Sequence, residues 1–335
     1  MFVMSSLYNE EVKEAFLKQY TNEATRETYE YILKKVKPTE EIKEKDLYEF
    51  TGDELEDVFY DLEPFSIAAS HTNFSVISRY IKWAIDKSLR SNNINPLREF
   101  ESSKLKEFVD DSKKVFVSED ELRELGKDLV NAQDEVIFRL AFEGVVGYQV
   151  SEILNLRKQD VNFETNELKL RDDKYGERTL HVSEECLRTI RQAINEEEYH
   201  LMNGLSTAKS PVKKLISSDY VIRGVISGRV KYGNDRADRH TIYRRISKLK
   251  EIFEYPYLTI KNIERSGMLK MAKDLYVKNG KLENEELALI ADRFNIAKVE
   301  LHGKKDYNYS VLKRVVNLDN VTKLYDLEIE KKKLL

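Results

Sequence analysis

One cysteine in the whole chain, Cys186, leaves nothing for an internal disulfide to pair with. The five histidines stand at 71, 181, 200, 240 and 302, too scattered for a metal site, so the chain is expected to need no structural metal and no cofactor. No stretch approaches twenty uninterrupted apolar residues, which excludes a helical membrane span. Met1–Ser6 lack the basic and long apolar segments of a secretory leader, and a cytoplasmic protein is expected. There is no Gly-X-Gly-X-X-Gly, no P-loop, no serine nucleophile elbow and no His-Glu-X-X-His. Nucleotide-dependent, serine-hydrolase and zinc-protease chemistry therefore lose their usual signals.

What is present is charge, and it is segregated. The formal net charge is −4, yet residues 1–63 carry seventeen Asp and Glu against eight Lys and Arg, while residues 205–250 carry twelve Lys and Arg against three Asp. Solvated helix faces could produce such blocks. So could one surface built to meet phosphates while the remainder keeps the protein soluble.

At 335 residues with mean hydropathy below zero, the chain has room for two domains, each with its own core. Helical apolar spacing runs through Val12, Phe16 and Tyr20, then through Tyr29, Ile32, Leu33 and Val36, with Pro38 expected to close the second helix. A third helix is expected over Asp53–Leu62. A fourth carries Phe74, Ile77, Ile81 and Ile85, with His71-Thr72-Asn73 as its polar start and Asn92–Pro96 as its stop. The expected division is a helical domain over 1–97, a charged linker over 98–116, and a second domain over 117–335 opened by the capping box Ser118–Glu121. In the second domain, strands are expected at 161–163, 167–171 and 178–182, followed by a helix over Glu184–Ile194 and mostly helices from 241 onward. The fold class is mainly α with a small β-sheet, α+β.

The most informative stretch is Gly147-Tyr148-Gln149-Val150-Ser151-Glu152-Ile153-Leu154-Asn155-Leu156, a glycine turn feeding a short amphipathic helix and then extended chain. It resembles the first signature of the tyrosine recombinase (phage integrase) family. The helical first domain, from Thr25-Arg26-Glu27-Thr28-Tyr29 to Ile94-Asn95-Pro96, similarly resembles the core-binding domain of integrases. In that family two arginines and a histidine or lysine grip the scissile phosphate, a hairpin lysine protonates the leaving oxygen, and a tyrosine attacks phosphorus.

The resemblance puts Lys174 at the hairpin lysine and Gln149 at the first arginine. Lys261-Asn262-Ile263-Glu264-Arg265-Ser266 matches the second signature, so Lys261 takes the basic position and Glu264 the second arginine. Asn317 falls where a histidine or tryptophan is usual, and Tyr325 where the nucleophile would be, with Tyr307 and Tyr309 as weaker alternatives. A carboxylate at 264 would repel a phosphate by up to about 4 kcal/mol at about 4 Å and an effective dielectric near 20. Arg265, one position on, points about 100° away on a helix. With both arginines replaced, strand cleavage is not expected.

DNA binding needs basic stripes rather than an aligned acid and nucleophile. The expected helix over Thr241–Phe253 gathers Thr241, Arg244, Arg245 and Lys248 on one side, with Arg239 and His240 at its N-terminus. Arg223, Arg229, Lys231 and Arg236 precede it in a glycine-containing loop. Asn73, Ser78, Arg79 and Lys82 form a polar stripe in the first domain. Lys174, Lys261 and Arg265 complete the expected DNA-contacting set. The chain also resembles the lysogeny repressors of SPβ-type Bacillus phages, which share the integrase fold. That resemblance implies a sequence-specific, non-cleaving repressor of the host cytoplasm and nucleoid, with double-stranded DNA as partner and room for a second copy and for a regulatory protein or antirepressor. A divergent active recombinase and a recombination accessory factor are the alternatives.

Overall fold

In the computed structural model, which describes residues 7–64, 66–100, 104–109, 115–226, 236–301 and 304–327, the chain divides into two compact units, 1–113 and 114–335. The first is built from helices α1 (Glu10–Leu17), α2 (Glu23–Lys43), α3 (Gly52–Asp61), α4 (Ile67–Asp86) and the short α5 (Lys104–Glu107). Each long helix starts where a side chain can take an orphan N–H. Asn22 caps α2, Thr51 makes a reciprocal box with Glu54 on α3, and Ser66 caps α4.

Two expected boundaries move. Helix α2 runs through Pro38 to Lys43, because Pro38 lies on the solvent side, where the carbonyl it leaves unbonded can be hydrated. Buried Val36 and Glu40 keep the chain helical on either side of it. Helix α4 begins at Ile67, capped by Ser66 and four residues before His71-Thr72-Asn73, so those polar residues sit inside the helix and not at its start. The stretch expected to be linker is also packed. Leu105 and Phe108 are buried with Phe59, Phe100 packs beside them, and Ser70 Oγ donates to the Leu105 carbonyl at 2.7 Å. Phe108 stacks on Phe59 at 5.2 Å. Three apolar residues spread over nine positions create no readable period, yet aromatic area alone is enough to fold them back.

The first core holds an ion cluster. Lys13 Nζ lies 2.5 Å from Glu40 and 3.5 Å from Asp46, with the Lys13 and Glu40 side chains fully buried. Tyr80 donates to Asp46 at 2.9 Å, and the backbone N–H of Leu47 donates to Glu40 at 2.7 Å. Burial pushes the Glu40 carboxyl up to about 7, against the opposing pull of Lys13.

The second unit begins with α6 (Glu119–Lys127), whose Ser118–Glu121 capping box forms as expected. Next come α7 (Ala132–Phe142), α8 (Ser151–Asn155), the antiparallel sheet β1 (Val161–Asn162), β2 (Glu167–Asp172) and β3 (Gly176–His181), and α9 (Glu184–Asn195). Leu168 pairs with Leu180 on the inner face, and Asp172 closes the hairpin opposite Gly176. A ribbon of β4 (Glu198–His200) and β5 (Val212–Lys214) leads toward α10 (Arg239–Ile252), α11 (Ile260–Asn279) and α12 (Asn284–Arg293). The ribbon β6 (Val299–Leu301) and β7 (Lys304–Asp306), then α13 (Tyr309–Leu312) and α14 (Leu318–Tyr325), complete the described chain.

Helix α7 is buried almost all round and is the axis of this unit. It packs on α11 so closely that a Cβ on Gly267 would stand 1.8 Å from the Phe142 carbonyl oxygen. Gly267→Ala must therefore push two backbones apart, and a loss of at least about 3 kcal/mol in urea unfolding is expected. In the first unit, Lys13→Met strands two buried carboxylates without a cation. Its expected cost is about 3–5 kcal/mol, and an unfolding midpoint within error of wild type would contradict the role given to this cluster.

Candidate nucleic-acid interface

The site is organised by Gly147. Its φ of +72° and its crowding both demand glycine: a Cβ there would lie 2.5 Å from an Asp172 carboxylate oxygen and 2.7 Å from Glu152 Cγ. The turn that follows, Tyr148–Val150, carries Gln149 at φ +52° and Val150 at φ +62°, the latter β-branched and buried. Such a conformation is costly for valine and persists only when its surroundings over-determine it.

Two carboxylates do so. Asp172 accepts from Tyr148 N at 2.6 Å, and from Lys174 N at 2.7 Å and Tyr175 N at 3.0 Å, so one side chain ties the turn to the tip of the β2–β3 hairpin. Glu152, fully buried, accepts from Val146 N at 3.1 Å and from the Nε–Nη2 edge of Arg178 at 2.6 and 2.8 Å. Arg178 also donates to the carbonyls of Gly144 at 2.7 Å and Arg293 at 2.5 Å, joining the turn to α12. Sequence reasoning passed over Arg178, Asp172 and Glu152. The usable signal was an acid and an arginine at inward strand positions of an otherwise alternating hairpin.

Gln149, Lys261 and Glu264 come together. With Val146, Val150, Tyr243, Ile246, Ser247, Lys250, Thr259 and Ile260 they line a cavity of about 480 Å³. Glu264 is buried to 5% exposure and accepts from Lys261 Nζ at 2.6 Å, so the lysine's charge is spent on the carboxylate below it. Gln149 is exposed and accepts from Arg239 Nη1. Arg265 does not line the cavity, and burial holds its guanidinium below its ordinary value against the pull of Glu264.

Tyr325 is elsewhere. Its ring lies 4.5 Å from Lys273 Nζ on α11, its hydroxyl is shut away from solvent, and burial, Glu119 and Asp274 push its pKa up. Asn317 caps α14, accepting from Asn320 N at 2.9 Å. Tyr307 donates to Asp292, and Tyr309 donates to Asp306 at 3.2 Å. Among the described residues, none of the three tyrosines lines the cavity that holds Gln149 and Glu264.

Residues 7–86 match the family described as "MrpR, N-terminal core-binding domain", and residues 116–326 the family described as "MrpR, C-terminal catalytic domain". The chain belongs to the MrpR family. A relative in Bacillus subtilis (strain 168), the SPbeta prophage-derived uncharacterized protein YopR, is 32% identical over 326 residues, covering 96% of this chain and 98% of YopR. Among solved structures, XerA recombinase aligns over 94% of this chain and 96% of its own, with 17% identity and a TM-score of 0.40. A lambda integrase dimer bound to a COC' core site aligns over 96% and 80%, with 11% identity and a TM-score of 0.48. The α+β architecture and the integrase-type order, core-binding unit before catalytic-type unit, thus stand as read from the sequence.

Two of the expected basic contacts in this MrpR-family chain are structural. Arg245 is buried; it donates to the Arg223 carbonyl at 2.7 Å, stacks over Tyr199 at 4.4 Å and lies 3.8 Å from the buried Asp134. Arg223, also buried, donates to the carbonyls of Ala193, at 2.8 Å, and Glu196. The sequence held the clue: Arg245 falls three residues after Ile242 and four before Leu249, on the inward face of α10. The outward face carries His240, Arg244, Ser247 and Lys248, all exposed, with Thr241 half-buried beside them. Arg244 Nε donates to the His240 carbonyl at 3.2 Å, and Lys248 pairs with Glu251 at 2.9 Å. Arg229 and Lys231 lie outside the described residues.

Arg236 is exposed and donates through Nη1 to Asn155 at 2.6 Å and to Asp173 at 2.9 Å. Lys174 is exposed at the hairpin tip, 5.1 Å from the ring centres of both Tyr148 and Tyr175. In the first unit, Arg79 and Lys82 are exposed, Arg79 donating to Tyr29 Oη at 3.0 Å, and Asn73 is half-buried. Ser78 is engaged by Asn95 Nδ2 at 3.2–3.3 Å and so serves the end of α4.

Asp172→Ala removes three hydrogen bonds to a charged acceptor, and a destabilisation of about 3 kcal/mol is expected. Amide exchange should speed up at both 148–149 and 174–176. Faster exchange at only one of the two would show that the turn and the hairpin are not held by this carboxylate.

Proposed function

We propose that this protein is a sequence-specific DNA-binding repressor on an integrase scaffold that controls phage lysogeny and does not cut its site. One observation carries the reading: the cavity where two arginines would grip a phosphate holds Gln149 and a buried Glu264 already paired with Lys261. A buried carboxylate destabilises the trigonal-bipyramidal phosphorane it would face, and losing one charged stabiliser of a transition state typically costs about 100-fold or more in rate. The burial of the Tyr325 hydroxyl beside Glu119 and Asp274 favours the same conclusion, because an in-line attack needs that oxygen at the cavity. Relationship to a prophage-derived protein supports the phage setting.

Binding survives these losses because it asks only for exposed cations and hydrogen-bonding groups on a surface that fits a groove. The outward face of α10, with His240, Arg244, Ser247 and Lys248, is suited to the major groove. Arg79 and Lys82 give the first unit its own basic surface. Duplex DNA in the host cytoplasm is the proposed partner, with a second copy on the operator and a regulatory protein or antirepressor as further partners.

Each of Arg244→Ala and Lys248→Ala should lower duplex affinity and reduce the slope of log K against log salt by about 0.9, if each meets one phosphate. Arg245→Ala should instead lower the unfolding midpoint, and an unchanged salt slope in a folded Arg244→Ala/Lys248→Ala double variant would overturn the role of α10. On a nicked suicide duplex carrying attachment-type sequence, no covalent adduct should form with wild type, with Tyr325→Phe or with Gln149→Arg. An adduct that disappears in Tyr325→Phe would establish the active-recombinase reading in place of this one.

A further inference from the structure

Outside the cavity, three cations gather around the Gly147 turn, and two of them come from a segment that plays no part in the integrase signatures. Arg236 and Arg239 flank Asp238, the cap of α10. Arg239 is held by Gln149, whose Nε2 in turn donates to Tyr148 Oη at 3.3 Å. Tyr148 is one of the two rings beneath the Lys174 ammonium. Arg236 is held by Asp173, the neighbour of Lys174, and by Asn155. A continuous chain of contacts therefore links all three.

How the arginines are held matters more than their proximity. Among the described residues, the hydrogen bonds of Arg236 all use Nη1, and so does that of Arg239. Among those residues each guanidinium is thus fixed by one nitrogen, and its Nε–Nη2 edge, the edge that pairs with two oxygens of a phosphate, carries no partner. Lys174 pairs with no carboxylate among the described residues and is steadied by two aromatic faces. The nearby acids are occupied: Asp172 by three backbone N–H groups, and Asp173 by Asn155 and Arg236, which hold its carboxyl below its usual range.

We propose that Lys174, Arg236 and Arg239 form a binding site for one backbone phosphate of duplex DNA, and that Gln149 is the positioning residue that holds Arg239 in it. The inference rests on the DNA-binding reading and deepens it. The arginine missing from position 149 is supplied from the start of α10, and the glutamine left behind has become its bracket. Anion recognition is retained at the surface while the cavity behind it is closed to phosphate by Glu264.

The test uses the full chain and a short random-sequence duplex, with affinity measured between about 0.05 and 0.2 M salt. Arg239→Gln should weaken binding about tenfold and lower the salt slope by about 0.9. Gln149→Asn is the discriminating variant. Asparagine tolerates the left-handed backbone at 149 but is one methylene too short to reach Arg239. It should weaken binding about threefold in the wild-type background and have no further effect when Arg239 is already glutamine. An equal effect of Gln149→Asn in both backgrounds, or an unchanged slope in Arg239→Gln, would overturn the proposal.

A second arm needs no DNA. Titration with inorganic phosphate, followed by the nitrogen-15 resonances of arginine Nε, should shift Arg236 and Arg239 in wild type and spare Arg239 in Gln149→Asn. If phosphate moves these signals while no duplex binds, the site stands and the DNA reading falls. If phosphate moves neither, the site falls, whatever the protein does with DNA.

Discussion

The Asp172 carboxylate is the constraint on which the functional face of this protein turns. It sits at the end of a strand, buried, and accepts from one backbone N–H of the Gly147 turn and from two of the hairpin tip. Because Gly147 has no side chain, the carboxylate can approach within the space a Cβ would take. The turn is thereby forced into two successive left-handed residues, one of them a valine. That strained path puts Gln149 on the surface at the rim of the cavity, and Lys174 beside it. Without this junction the sheet and the helices would still pack, but the polar groups would not share a face.

Basic residues in the second unit divide into two populations that share a composition and differ in energetics. Arg178, Arg223 and Arg245 spend their charge inside the fold on carbonyls, a buried acid and an aromatic ring, joining elements distant in sequence. Arg236, Arg239, Arg244 and Lys248 keep theirs at the surface. The distinction follows from desolvation: a guanidinium taken out of water must have its donors satisfied by the protein, and once satisfied it has little left for a ligand. The same logic explains the cavity. Lys261 and the buried Glu264 neutralise one another at its wall.

The proposed reading separates recognition from catalysis, and such a separation is chemically cheap. Gripping a phosphodiester through cleavage needs charge placed against the transition state, an acid and a nucleophile in line, and losing any one slows the reaction by orders of magnitude. Holding the duplex requires only cations at phosphate spacing and a helix face that fits a groove, and these tolerate substitution one residue at a time. On the proposed reading, a chain can carry Gln149 and Glu264 where arginines would grip a phosphate and still keep the scaffold that presents α10.

The class of the fold, the Ser118 capping box, the hairpin and the glycine turn were legible along the chain, because each is written in residues a few positions apart. Spacing, caps and turn chemistry act locally, and local physics can be read in order along the chain. Only the tertiary structure decided that Pro38 is passed over, that Phe100, Leu105 and Phe108 fold into the first core, that Arg223 and Arg245 are internal, and that Gln149 meets Arg239. Those outcomes depend on which face of an element is turned inward and on what stands opposite it, as far away in sequence as Asp134 is from Arg245. Burial and pairing across such distances are properties of the packed whole, which no window of sequence contains.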